Sequence, residues 1–364
     1  MVPDYQISQD PDVQQFFENV LNSSLQYFSE LIDINHINYV TESQFYCSDY
    51  YSENSIDMGD ADVLLIISNS SQGNYLVLGG TCYLDTQNNK APNIMYLKVQ
   101  KYIIEQVYDI YQENGVNGGL YYQYLRSINH EIFHNLAFRI DYFSNYPIYD
   151  YSSQVYDFLD TKPRGYPTLA MITENVKKEV QDFFGCPNYE GMQLENANNN
   201  QQNAYIEHLE STIFGNNLMS YLYILEPRGF SRVELAILDD SNWYNSINYD
   251  LADVYFWGKD KGCDFLENSC IDLQNKFEEF KTKQFGCSFD YKSKAIQASQ
   301  YKNGQYTFYT DKCDFMYSYL PCNTGIYNQD SKAEIYESFQ SNSRCFESTL
   351  RNKGEQIQTI SQML

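Results

Sequence analysis

The chain has 364 residues, with 24 Lys+Arg against 48 Asp+Glu and a formal net charge of −24 at pH 7. A surface this acidic repels phosphate backbones and anionic lipid, which excludes nucleic-acid binding and electrostatic docking on membranes. The length is enough for a substantial core in two or three parts, and no apolar run approaches the roughly 20 residues needed to span a bilayer.

From the N-terminus, Val13, Phe16, Phe17, Val20, Leu21, Leu25, Phe28 and Leu31 recur at spacings of three and four, which predicts an amphipathic helix over 12–31. Short β-like runs follow at 61–68, 74–82 and 93–97, separated by turn-rich stretches at 69–73 and 87–90. A second helical stretch runs to about Tyr111, and the turn over 114–119 leads into a third. This first half reads as α+β. From 141 to 257 the chain carries Pro147, Pro163, Pro167 and Pro187, and its polar tract at 196–203 offers no apolar face, as expected of a surface loop. Beyond Gly258 cysteines become dense and strands short, which reads as a disulfide-held third part.

The third helix carries the chemistry. The chain has only four histidines, and two of them stand in His130-Glu131-Ile132-Phe133-His134, the H-E-x-x-H pattern of zinc peptidases. Residues i and i+4 share one helical face, so both imidazoles reach a single ion at roughly 2.0–2.1 Å. Glu131 projects beside the metal, placed to act as general base toward water. Leu125, Ile128, Ile132 and Leu136 form the stripe that buries the helix. The third ligand decides the class. A short-spaced metzincin has histidine six residues after the second one, where this chain has Ile140. His208 is one candidate; Glu174 or Glu179 would serve in a gluzincin arrangement, although their segment also reads as an ordinary solvated helix face.

Phe184-Gly185-Cys186-Pro187-Asn188-Tyr189-Glu190-Gly191-Met192, followed by His208-Leu209-Glu210 and Asn217-Leu218-Met219-Ser220, closely resembles the leishmanolysin (gp63-type) metallopeptidases. The stretches 234–244 and 257–266 resemble that family's central block, and the similarity runs on through Cys313 and Cys345. The resemblance implies a metzincin-like N-terminal catalytic domain over 1–140, a central domain over 141–258 that donates the third ligand, and a cysteine-rich domain over 259–364. It implies one Zn2+ held by His130, His134 and His208, Glu131 as base, Met219 in a Met-turn, and a Cys186–Cys263 disulfide. The expected activity is hydrolysis of internal peptide bonds in polypeptide substrates by a monomer.

Two positions qualify that reading. The family has glycine where this chain has Ala137; if the site needs a positive φ, alanine costs on the order of 1 kcal/mol. This supports an alternative, a catalytically weak leishmanolysin-like surface protein that binds cell-surface or extracellular-matrix proteins. Tyr221, two residues past Met219, offers a zinc or oxyanion contact, yet with 36 tyrosines in 364 residues such a placement is ordinary. His36 reads as a packing or surface residue. The nine scattered cysteines, with no C-x-x-C pair, read as disulfide partners. With sequons at Asn22 and Asn69 they point to an extracellular or cell-surface protein, membrane-associated if the resemblance holds, although neither a signal peptide nor an anchor is visible in these residues.

Overall fold

The computed structural model describes residues 6–34, 61–70, 75–85, 91–114, 119–143, 155–165, 167–196, 207–221, 229–273, 276–300 and 309–321. Shorter pieces are described at 39–40, 45–47, 50–52, 56–57, 146 and 344–345. His36 and most of the polar tract over 196–203 lie outside them.

Helix α1 spans Pro11–Leu31. Asp10 caps it, accepting from the backbone N–H groups of Asp12 at 2.9 Å and Val13 at 3.5 Å, and Pro11 occupies the first turn, where no N–H is needed. The predicted stripe is buried except for Leu25, which packs half-exposed at its margin. Three strands form the N-terminal sheet: β1 (Leu64–Asn69), β2 (Val77–Asp85) and β3 (Ala91–Val99), in the order β1-β3-β2. β1 runs parallel to β3 with Leu64 opposite Ile94, and β2 runs antiparallel to it with Val77 opposite Val99.

α2 (Lys101–Asn114) leads to α3 (Gly119–Leu136), which carries the H-E-x-x-H residues. α3 packs against α1, α2, β2 and β3. Contact on several sides explains why more than the predicted stripe is buried: Ile128, Ile132 and Leu136 are joined by Tyr124 and Phe133, while Leu125 stays half-buried.

The end of α3 corrects one expectation. Ala137 does not adopt a positive φ, so the anticipated strain is absent. Its N–H donates to the Phe133 carbonyl at 3.1 Å. The terminal carbonyls, which a glycine-based turn would otherwise satisfy, accept from tyrosine hydroxyls: Tyr244 donates to Leu136 at 2.7 Å and Tyr146 to Ala137 at 3.0 Å.

The central stretch holds a small antiparallel sheet of β4 (Tyr156–Phe158), β5 (Leu169–Met171) and β6 (Met192–Gln193), with β5 in the middle. Helix α4 (Glu174–Phe184) packs on α6 (Arg232–Asp240), with the single turn α5 (Ser211–Phe214) between them in the chain. Asp240, ending α6, accepts from the N–H groups of Asn175 at 3.1 Å and Val176 at 2.9 Å, so its charge sits at the positive end of α4. The last sheet is antiparallel, with β8 (Ser293–Gln297) between β7 (Phe285–Cys287) and β9 (Met316–Pro321).

Four disulfides tie these parts: Cys47–Cys82, Cys186–Cys263, Cys270–Cys313 and Cys287–Cys345. The second is the pairing implied by the family resemblance; the ninth cysteine, Cys322, lies outside the described residues. One continuous cluster of buried apolar side chains reaches from Ile7 to Tyr317, and the mixture of helices and strands is α+β. Among the described residues no helix is long and apolar enough to cross a membrane.

Gly215 ends α5 at φ +52°, and a Cβ there would lie 2.4 Å from the Trp257 ring. Gly215→Ala is therefore expected to destabilise the fold by about 3 kcal/mol, combining left-handed strain with overpacking; a shift in the urea midpoint measures it.

Candidate metal centre

Three imidazoles from two distant stretches converge. His130 Nε2 lies 3.0 Å from His134 Nε2 and 3.1 Å from His208 Nε2, and the last two are 3.3 Å apart. The helix supplies the first pair. His208, 74 residues beyond His134, is held through its backbone: its carbonyl accepts from Glu195 N–H, and the next N–H, of Leu209, donates to Met219 O, both at 2.9 Å. The stretch beside β6 and the turn after α5 therefore flank the third histidine.

The other ring nitrogens define the chemistry. His130 Nδ1 donates to the Leu218 carbonyl at 2.9 Å, and His134 Nδ1 donates to the Phe138 carbonyl at 2.8 Å. A carbonyl accepts only, so each Nδ1 carries the proton and each Nε2 presents a bare lone pair. Two such lone pairs 3.0 Å apart repel unless a cation lies between them. Ligands at 2.0–2.1 Å in a tetrahedron sit roughly 3.3 Å from one another, close to the observed separations. The residues fit a zinc ion. Burial holds the pKa of His130 well below that of an ordinary imidazole, with His134 adding to the effect, and burial brings His134 down to about 4. Both rings are therefore neutral near pH 7, as ligands must be.

Glu131 follows His130 and lies against β2. Its Oε2 accepts from the Gly79 N–H at 2.7 Å, and burial pushes the carboxyl pKa up to about 7. Contact this close favours glycine: a Cβ on Gly79 would stand 2.7 Å from Asn135 Nδ2 and 3.1 Å from Glu131 Cβ, so the Asn135 amide would have to shift. Asn135, the residue after His134, is buried, donates to the Tyr96 carbonyl at 3.3 Å, and accepts through its own carbonyl from Thr81 Oγ1 at 3.1 Å. The helix is thus stitched to the sheet beside His130 and His134.

Met219 is fully buried in the turn that holds His208. The Tyr221 ring stacks on the His208 imidazole, centroids 4.0 Å apart and planes 29° apart, and its other neighbour Tyr309 stacks at 4.4 Å. The gluzincin candidates stand elsewhere: Glu174 is exposed in the first turn of α4, and Glu179 forms a paired contact with Arg232 at 2.9 Å through each oxygen. Among the described residues, His130, His134 and His208 are the one group of three or more His, Cys, Asp or Glu side chains arranged to hold a metal ion. Sequence reasoning missed Gly79, Arg126 and Glu234, each of which supports the site across the fold. Ser231-Arg232-Val233-Glu234 is legible as a capping box, but nothing local reveals that Glu234 also reaches Met219.

Comparison with known proteins agrees with this geometry. Residues 47–363 match the family model described as Peptidase_M8, Leishmanolysin. The leishmanolysin-like peptidase of Caenorhabditis elegans is 37% identical over 105 residues, 29% of this chain and 15% of that protein. The one from Drosophila melanogaster is 37% identical over 102 residues, 28% of this chain and 14% of its own length. A leishmanolysin homolog of Crithidia fasciculata is 23% identical over 209 residues, 57% of this chain and 28% of that protein. The matched stretches thus span well under a third of each relative. The family model, by contrast, covers most of this sequence, and the chain belongs to the leishmanolysin family of zinc metallopeptidases.

Proposed function

We propose that this chain is a zinc-dependent endopeptidase with His130, His134 and His208 as metal ligands and Glu131 as general base. The observation that carries the reading is the meeting of three Nε2 atoms within 3.3 Å, beside a carboxylate on the same helix. Zinc bound there supplies Lewis acidity, which acidifies water from a pKa of 15.7 toward about 7 and polarises a peptide carbonyl. Glu131 takes the water proton on its carboxylate and passes it to the amine nitrogen that leaves. The Gly79 N–H, gripping Oε2, fixes the position of that carboxylate against β2. Substrate would extend along β2, the outer strand of the described N-terminal sheet, by strand addition. Met219 forms the floor of the site as the Met-turn residue, and Tyr221 serves as a stacked wall for His208. The parts divide at about residues 140 and 258. The four disulfides support residence in an oxidising, extracellular or cell-surface setting. The non-catalytic alternative drew its support from Ala137, whose unstrained backbone removes that support.

Purified protein is expected to carry one zinc per chain and to cleave casein in a chelator-sensitive manner. Glu131→Gln should keep the zinc and lose activity by roughly 10²–10⁴-fold, the range of general acid–base catalysis; loss of metal in that variant would contradict the role. His208→Ala should lose zinc, and retention of stoichiometric metal would instead place the third ligand elsewhere. Tyr221→Phe keeps the ring stack and should leave kcat nearly unchanged. A fall of roughly 10²-fold or more, the size expected on removing an oxyanion donor, would assign the hydroxyl a direct part in catalysis.

A further inference from the structure

We propose that Glu234 is a positioning residue for the metal centre, acting on His130 through the peptide unit that joins Leu218 to Met219. The inference rests on the reading of the three histidines as a zinc site. That peptide unit is engaged at both poles. Its carbonyl oxygen, on Leu218, accepts the Nδ1 proton of His130 at 2.9 Å, and its N–H, on Met219, donates to Glu234 Oε1 at 2.7 Å. A carboxylate, an amide and an imidazole stand in series. Burial raises the Glu234 pKa to about 7, against the bonds from Met219 and Ser231 and the nearby Arg126 charge, which favour the carboxylate; in that form Glu234 polarises the amide, strengthens the carbonyl as acceptor, and so makes His130 Nε2 a better electron donor. Ligand histidines commonly give their second N–H to a carboxylate or a carbonyl; here the carbonyl is itself backed by a carboxylate.

A capping role alone does not account for this glutamate. Glu234 does complete the capping box of α6, where Oε2 accepts from Ser231 N–H at 2.6 Å and Ser231 Oγ at 2.9 Å. Capping needs only one carboxylate oxygen and works at a protein surface, whereas Glu234 is fully buried, where an unpaired carboxylate is costly. Its second oxygen is directed to the Met219 amide. Arg126, buried one turn before His130, holds the same turn from the other side and lies close enough to Glu234 for their charges to interact. Its Nη2 donates to Asn217 O at 2.7 Å and more weakly to Leu218 O at 3.4 Å. The turn then reaches a second ligand, because Met219 O accepts from Leu209 N–H beside His208. Through one short strap, Glu234 therefore bears on two of the three imidazoles.

The test measures zinc affinity by competition with a chromophoric chelator, and the visible spectrum of the Co2+-substituted protein, for the wild type, Glu234→Gln and Ser231→Ala. Glu234→Gln is expected to weaken zinc binding by roughly 10–100-fold and to shift the Co2+ bands. Ser231→Ala removes one of the three hydrogen bonds that Glu234 accepts but keeps its charge and its contact with Met219, so it should lower the melting temperature and cost far less affinity than Glu234→Gln, with the Co2+ bands close to those of the wild type. If Glu234→Gln does not fold, Glu234→Asp, which keeps the charge but is one methylene too short to reach Met219, is judged by the same result. Equal losses of affinity in the glutamate and serine variants, or wild-type affinity in the glutamate variant, would overturn the proposal. A wild-type chain that binds no zinc would overturn the metal-centre reading and this inference with it.

Discussion

The structure is organised around an arrangement that would not assemble by itself: imidazole lone pairs of three buried histidines pointed at a common centre. Without a cation such groups repel, so the surrounding fold must hold them in place and keep the proton off each facing nitrogen. Carbonyl oxygens at Leu218 and Phe138 do this for His130 and His134 by fixing which nitrogen is protonated. For His208 the constraint acts on the backbone, which is pinned between Glu195 and Met219. The convergence of the three imidazoles is thus a property of several chain segments packed together.

Around this centre the supports divide by direction. On the sheet side, β2 approaches α3 so closely that a Cβ at position 79 would displace the Asn135 amide, and the approach delivers an N–H to Glu131. On the opposite side the turn over 217–220 is fastened to Arg126 and Glu234. Behind it lies a buried charge network, in which Arg164 pairs with Asp311 and, at 3.6 Å, with Glu210. Glu210 begins α5, two residues after His208, and Asp311 comes from the last third of the chain, so the C-terminal stretch is tied to the same neighbourhood.

Much of this was legible in the sequence because it is local or periodic. The stripe from Val13 to Leu31 predicted α1 nearly to the residue, and the three early strands appear in the predicted order with edges displaced by a few positions. H-E-x-x-H marked its own helix, and the resemblance to leishmanolysins settled on His208 where the local pattern still admitted two less favoured glutamates. The Gly79–Glu131 contact spans 52 positions and the Glu234–Met219 bond pairs a helix cap with a remote amide, so neither leaves a pattern that periodicity detects. Ala137 misled for a related reason. Chain reversal was read as a demand on one residue's dihedral angles, whereas two phenols contributed from elsewhere meet the need.

Those two phenols relocate a constraint. Where glycine ends a helix, the requirement resides in a single codon and is visible in any aligned sequence. Here the end of α3 is closed by the hydroxyls of Tyr146 and Tyr244 together with the Arg139 N–H, which donates to Ala137 O at 2.9 Å. The departure at 137 is therefore no lesion. A phenylalanine at 244, which would pass in a comparison as the mildest of aromatic exchanges, would take the hydroxyl donor from the Leu136 carbonyl, whereas at Ala137 O the bond from Arg139 N–H at 2.9 Å would remain.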